Sequence, residues 1–329
     1  MPVLWQRARD VQESCGLPPQ GNERLIVRAE KAEADRQLPQ GEEIFLDHVG
    51  HFVPDREAAS RALARCGFAP SPVSIQVNPD GTPTGTGNVC AMFARGYIEV
   101  LFKAAATPLA AELDTSMARY PGVHLAAFAV ADATKAHERL GAAGFALRPL
   151  VHFQRPVDTE TGRAMAAFTV ARVERGVMAE GRIQILTHHT EDAVWQKRWL
   201  AHPNGVRGLA GVVIAVADVA EAAARFERFT GRRASPTRSG QVVALDRGRV
   251  DLVSRAAFEA MLPEIAIPGL PFIGTYGIAV ASLDETETLL SRAGLRACRA
   301  GDCLVAPFPE ELGQGAWLFA ETNEIDLFG

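Results

Sequence analysis

Apolar and polar positions along this chain follow a rhythm that repeats four times. Each repeat opens with an apolar strand, passes an acidic or Ser cap, and continues into an Ala-rich helix that ends near a Gly. The strand-and-cap segments are residues 46–55, 123–132, 209–218 and 274–282. The distance from cap to Gly is 12 residues for Asp55 to Gly67, Asp132 to Gly144 and Ser282 to Gly294, and 13 for Asp218 to Gly231. Asp or Ser at such a cap satisfies the first free amides of a helix, and Gly accepts the left-handed turn that ends it. Ala58, Ala59, Ala62, Leu63 and Cys66 recur at helical spacing, so the first helix has one apolar face for a sheet. Two or three further strands follow each helix: 73–77, 88–93 and 97–102 in the first repeat, 149–153, 166–173 and 182–186 in the second. The third offers 241–245 and 249–253, the fourth 303–306 and 316–320. The unit is strand, helix, then strands, and the predicted fold class is α+β.

Composition narrows the partners. The 329 residues suggest two domains at about 150 residues each, and 47% apolar residues can bury a large core. Lys and Arg number 34 against 39 Asp and Glu, a net charge of −5. That balance predicts no nucleic-acid partner, which would demand a basic face. The uncharged apolar stretch at 208–217 is far shorter than the ~20 residues of a spanning helix, so no membrane partner is predicted. Charge at Arg7, Arg9 and Asp10 interrupts any secretory signal. Five scattered cysteines, of which only Cys298 and Cys303 are close, make no zinc knuckle and predict a reduced, cytoplasmic protein.

Three motifs then stand in order: Leu46-Asp-His-Val-Gly50, Gly85-Thr-Gly-Asn88 and Gly96-Tyr-Ile-Glu-Val-Leu101. With them the chain resembles the vicinal oxygen chelate superfamily, in its glyoxalase-like branch. The pattern covers roughly residues 45–325, though only the first repeat matches in motif detail. The resemblance implies four βαβββ modules pairing into two cupped, incomplete barrels, as in glyoxalases and extradiol-type dioxygenases. The domains expected are an N-terminal extension at 1–44, a first glyoxalase-like domain at 45–205, and a second, degenerate one at 206–329. Modules pairing across chains would make a homodimer.

The superfamily's metal ligands sit midway along the first strand of a module and on its last. Those places hold His48 and Glu99 in module one, and Leu125 and Gln184 in module two. Modules three and four offer Gly211, Asp251, Thr275 and Leu318. The resemblance thus implies a divalent metal, Fe, Mn, Ni or Zn, on His48, Glu99 and Gln184. One expected histidine is replaced by Leu125; His188, with the strand parity of Gln184, could supply a nitrogen. His124 has the opposite parity and should point away. Taken alone, His48 reads as a core histidine, whereas Glu99, between Ile98 and Val100, is costly to bury unless paired or coordinated.

Glu99 and His188 are the candidate proton movers. Thr86 and Asn88 could face the substrate, or merely belong to a Gly-rich hairpin. Arg155 could pair with a substrate carboxylate or sit on the surface before Pro156. Thr190 can cap a helix in which Trp195, Trp199 and His202 form a stripe, either an aromatic wall over a ligand or a linker joining the halves.

Two functions follow. The first is a metal-dependent lyase, isomerase or dioxygenase acting on a small oxygen-rich or aromatic molecule. The second is a metal-free protein that binds and sequesters a small molecule.

Overall fold

A computed structural model describes residues 36–78 and 80–322. Most of the expected extension at 1–44 therefore lies outside the described residues. The four repeats fold as four βαβββ modules. Module one comprises β1 (Ile44–Phe52), the helix Arg56–Arg65, β2 (Ser74–Val77), β3 (Pro83–Met92) and β4 (Tyr97–Lys103). Module two has β5 (Gly122–Val130), the helix Ala133–Ala142, β6 (Val151–Thr159), β7 (Gly162–Arg172) and β8 (Arg182–His188). Module three runs through β9 (Val206–Val216), β10 (Ala234–Pro236), β11 (Gly240–Ala244) and β12 (Arg249–Ser254). Module four holds β13 (Phe272–Val280), β14 (Cys298–Ala300), β15 (Cys303–Pro307) and β16 (Ala316–Ala320). The caps act as their residue types dictate. Asp55 accepts from the amides of Glu57 and Ala58, and Asp132 from those of Thr134 and Lys135. Ser282 accepts from Glu285.

Within each module the first and last strands pair in parallel, and modules join in twos through antiparallel first strands, β1 on β5 and β9 on β13. The halves then diverge. Modules three and four form an open eight-stranded sheet. Modules one and two go further than the expected open cup, because Val77 of β2 pairs with Gln154 of β6 and closes the eight strands into a barrel. Closure removes both sheet edges and gives the strands a true inside.

The second cup has no comparable interior. The helix Arg255–Met261 drops Phe258 onto its concave face beside Phe272, and Leu262, Ile265 and Leu318 fill the rest. A Cβ on Gly274 would stand 2.4 Å from the Phe258 ring, so only glycine fits there. Asp251, the one carboxylate at a ligand position, is buried and ion-paired with Arg249, and the Thr275 hydroxyl donates to the Ala316 carbonyl.

One apolar core runs through both halves, from Leu46 and Val49 to Val212, Tyr276 and Trp317. His51 crosses the junction, bonded to the Leu312 carbonyl at 2.8 Å and the Tyr276 hydroxyl at 2.9 Å. Phe68 packs on Trp317 with centroids 5.3 Å apart. The junction is thus made by His51, Phe68 and Trp317 rather than by Trp195 and Trp199. The expected helix over 190–202 is replaced by one α-turn, Glu191–Val194, and one 3-10 turn, Lys197–Trp199. Extended backbone at Gln196 breaks the stripe, and Trp195 turns inward under the end of the barrel. His202 is a structural tie, bonded to the Met92 carbonyl and the Ala69 amide.

Candidate functional site

Strand alternation sends every second side chain of the barrel inward. Each of the eight strands contributes to a half-open cavity that spans about 580 Å³ with its solvent-filled mouth. One wall is polar: His48 from β1, Asn88 from β3 and Glu99 from β4. Facing it are Arg172 from β7 with Arg182 and Gln184 from β8; Arg155 comes from β6. Leu101, Leu125, Phe153, Phe168, Val170 and Leu186 fill the space between.

A β-bulge builds the polar wall. The β1–β5 register slips between Leu46 and His48, leaving Asp47 as the extra residue. Asp47 and His48 then both turn into the protein. Asp47 is fully buried and accepts from two histidines, His48 through Nδ1 at 2.6 Å and His188 through Nε2 at 3.0 Å. On the other side of His48, Nε2 lies 3.5 Å from Glu99 Oε2, and Asn88 Nδ2 donates to Glu99 Oε1 at 2.6 Å. Tyr97 stacks on the imidazole with centroids 4.4 Å apart. The result is a line of groups, His188, Asp47, His48, Glu99 and Asn88, that ends in the cavity.

The charges support one another. Burial disfavours ionised Asp47, yet the charge of His188 and the hydrogen bonds from His188 and His48 hold its carboxyl far below the usual range. Burial likewise disfavours cationic His48, but Asp47 and Glu99 overcome it and raise its pKa to about 9. Glu99 is buried too, and its bonds to His48 and Asn88 keep it ionised. His48 is therefore a cation between two carboxylates near neutral pH. A pKa raised on folding stabilises the fold fully below pH ~6.5, and that contribution fades as pH climbs toward the folded value. We expect the melting temperature to fall by several degrees between pH 6.5 and 9, the thermal equivalent of about 1–3 kcal/mol. His48→Gln should lack that fall. An unchanged slope in the variant, read by scanning fluorimetry, would assign the pH dependence elsewhere.

The opposite wall is unusual. Arg172 is 8% exposed, its Nε donates to Gln184 Oε1 at 3.0 Å, and its guanidinium lies over the Phe153 ring at 5.1 Å. Among the described residues no carboxylate pairs with it. Burial and the neighbouring Arg182 push its pKa down. Arg182 is shared with Glu112 at 3.4 Å, and Arg155 lies over Phe168 at 6.0 Å.

The sequence candidates divide accordingly. His48, Asn88, Glu99, Arg155 and Gln184 all reach the cavity. Three do not line it. His188 is turned to Asp47 and boxed in by Phe168 and Trp195, so it acts behind His48 rather than on a ligand. Thr86 is spent on the Gln76 side-chain oxygen. Trp195 packs edge-on against Tyr97 and His188 beyond the cavity. His124 points away, as its parity predicts, and bonds the Tyr120 carbonyl. Sequence reasoning missed Asp47, hidden by the bulge, and Arg172. The signal for Arg172 was present: it shares parity with Phe168 and Val170 and stands directly across from Gln184.

Comparison with known proteins agrees with this architecture. No curated protein sequence matches the chain. A hypothetical protein from Staphylococcus aureus has a similar structure, with TM-score 0.58 at 10% identity, covering 84% of this chain and 98% of its own. A variant of 4-hydroxymandelate synthase from Streptomyces coelicolor gives TM-score 0.54 at 13% identity over 86% and 94% of the two chains. The Mn(II)-bound glyoxalase from Novosphingobium aromaticivorans gives 0.53 at 15% over 87% and 84%. At these identities the likeness is one of fold. In sequence, the glyoxalase-like domain family matches residues 46–230, more than half of the chain and the whole of the closed barrel. The chain belongs to the glyoxalase-like domain family of the vicinal oxygen chelate superfamily.

Proposed function

We propose that the closed barrel is the active site of an enzyme that moves a proton on a small carbonyl-bearing organic acid. The observation that carries this reading is Arg172. A buried guanidinium whose only hydrogen bond among the described residues is to a neutral amide is costly, and a ligand carboxylate would complete it in fork geometry. Phe153, Phe168, Leu125 and Leu186 then receive the apolar part of the molecule. Across the cavity, His48 is fixed at Nδ1 by Asp47, and its Nε2, 3.5 Å from Glu99, can turn its donation from that carboxylate to a carbonyl oxygen. Glu99 beside it accepts the proton released from the neighbouring carbon. The C–H bond breaks, its electron pair moves onto the oxygen as an enolate, and cationic His48 stabilises that charge. Such a step belongs to isomerases and lyases.

Divalent metals are associated with this fold, as the Mn(II)-bound neighbour illustrates. The donor set here does not fit a resident divalent ion. Of the four family positions, Leu125 offers no donor and Gln184 Oε1 already accepts from Arg172. Three arginines around the same cavity further oppose a dication. The proposed chemistry therefore uses the side chains alone.

Phenylpyruvate, an acid with a ring and an enolisable carbon, is the probe. Proton NMR in deuterated buffer should show accelerated exchange at that carbon. Both Glu99→Gln and His48→Gln should slow it by a factor of about 10²–10⁴, the usual contribution of a positioned acid or base. Saturable binding with no exchange would sink the enzyme reading and leave a sequestering protein.

A further inference from the structure

A second depression opens at the other side of the same barrel wall. It spans about 840 Å³ including open solvent, and five arginines and two glutamates line it, an excess of three positive charges. At its centre Glu112 is shared by three guanidiniums: Arg175 at 2.7 Å, Arg148 at 3.1 Å and Arg182 at 3.4 Å. Each uses only part of its five N–H donors on that carboxylate. Arg172 and Arg182 belong to both spaces, so they form the partition between groove and cavity. In a chain of net charge −5, this concentration of guanidiniums is a local exception.

We propose that the groove is a phosphate subsite, continuous with the cavity through Arg172 and Arg182, for a small ligand whose phosphoryl group stays at the mouth. Charge favours this class. The two carboxylates already present leave a surplus of three that a single further carboxylate would not neutralise, whereas a phosphate monoester brings nearly two charges and three acceptor oxygens. Planar guanidinium forks match those oxygens pairwise, which a cluster of lysines would not. Continuity argues for a small molecule over a polymer, since the partition leads into an enclosed barrel rather than along a surface. The subsite is separate from the proton chemistry above and stands whether or not the cavity turns its ligand over.

Calorimetric titration with inorganic phosphate at low ionic strength tests it, wild type beside the double variant Arg148→Gln/Arg175→Gln. Both arginines lie toward solvent, so the fold should survive, as a melting curve will verify. The result expected is one phosphate per chain, weakened about tenfold or more in the double variant, because two charge-assisted contacts are lost. Glu112→Gln should tighten phosphate, since it removes the competing anion. Phenylpyruvate affinity should change by less than about twofold in the double variant, a rim charge having little hold on the bound state of the inner cavity. Phosphate that binds wild type and the double variant equally, or that fails to bind wild type at all, would overturn the subsite. So would displacement of phosphate by phenylpyruvate, which would reveal one shared site.

Discussion

Replacing Arg172 by methionine should abolish organic-acid binding and at the same time raise the melting temperature. The two effects have one cause. In the free protein Arg172 is a buried cation with no ionic partner among the described residues, bonded to the neutral Gln184 amide and stacked on Phe153. A side chain of similar length without charge removes the desolvation cost and keeps most of the packing. The lost bond to Gln184 and the lost ring contact offset part of that gain, each by about 1 kcal/mol. A net gain of about 1 kcal/mol corresponds to roughly 1–2 °C in a chain of 329 residues. Binding should fall by about 100-fold or more, as expected when a desolvated carboxylate loses its guanidinium. A variant that melts earlier and binds as before would show that the guanidinium serves the fold.

The second large effect is expected at Asp47. Asp47→Asn keeps the shape and removes the charge between His48 and His188. An amide cannot accept from both rings as the carboxylate does, and cationic His48 is left with Glu99 alone. Removing one member of a buried ionic set typically costs 3–5 kcal/mol, so the variant should unfold at markedly lower denaturant. His48 should also lose much of its elevated pKa, since Asp47 contributes both a hydrogen bond and charge to it. The readouts are the urea midpoint and the His48 titration followed by NMR. Near wild-type stability with an unshifted His48 would mean that Asp47 is neutral in the folded protein. Asp47's own contribution runs the other way in pH: its depressed pKa stabilises the fold above the unfolded carboxylate value of about 3.9 and is lost in acid.

Much of this architecture is legible in the sequence because period and punctuation agree. The fixed distance from cap to Gly marks the helices, and the resemblance to the superfamily singles out His48, Glu99 and Gln184, which do share one interior. What escapes is whatever breaks a period or spans it. The bulge at Asp47 puts consecutive residues to work in one polar line, which strict alternation forbids. Closure of the barrel rests on one cross-module pairing, Val77 with Gln154, that local pattern does not encode. The helix expected at 190–202 has helical spacing but lacks helical backbone at Gln196, so Trp195 and His202 serve packing. The metal implied for His48, Glu99 and Gln184 rests on residue types at aligned positions, and the test of it is the chelator experiment below. What alignment leaves out is the bond from Arg172 to Gln184, since the arginine lies on a different strand.

The most direct measurement is a calorimetric titration of phenylpyruvate and of its methyl ester into protein stripped with a strong chelator. The acid should bind the stripped protein, one molecule per chain, and the uncharged ester far more weakly. Acid binding that vanishes on stripping and returns with a divalent ion, or equal affinity for acid and ester, would contradict it.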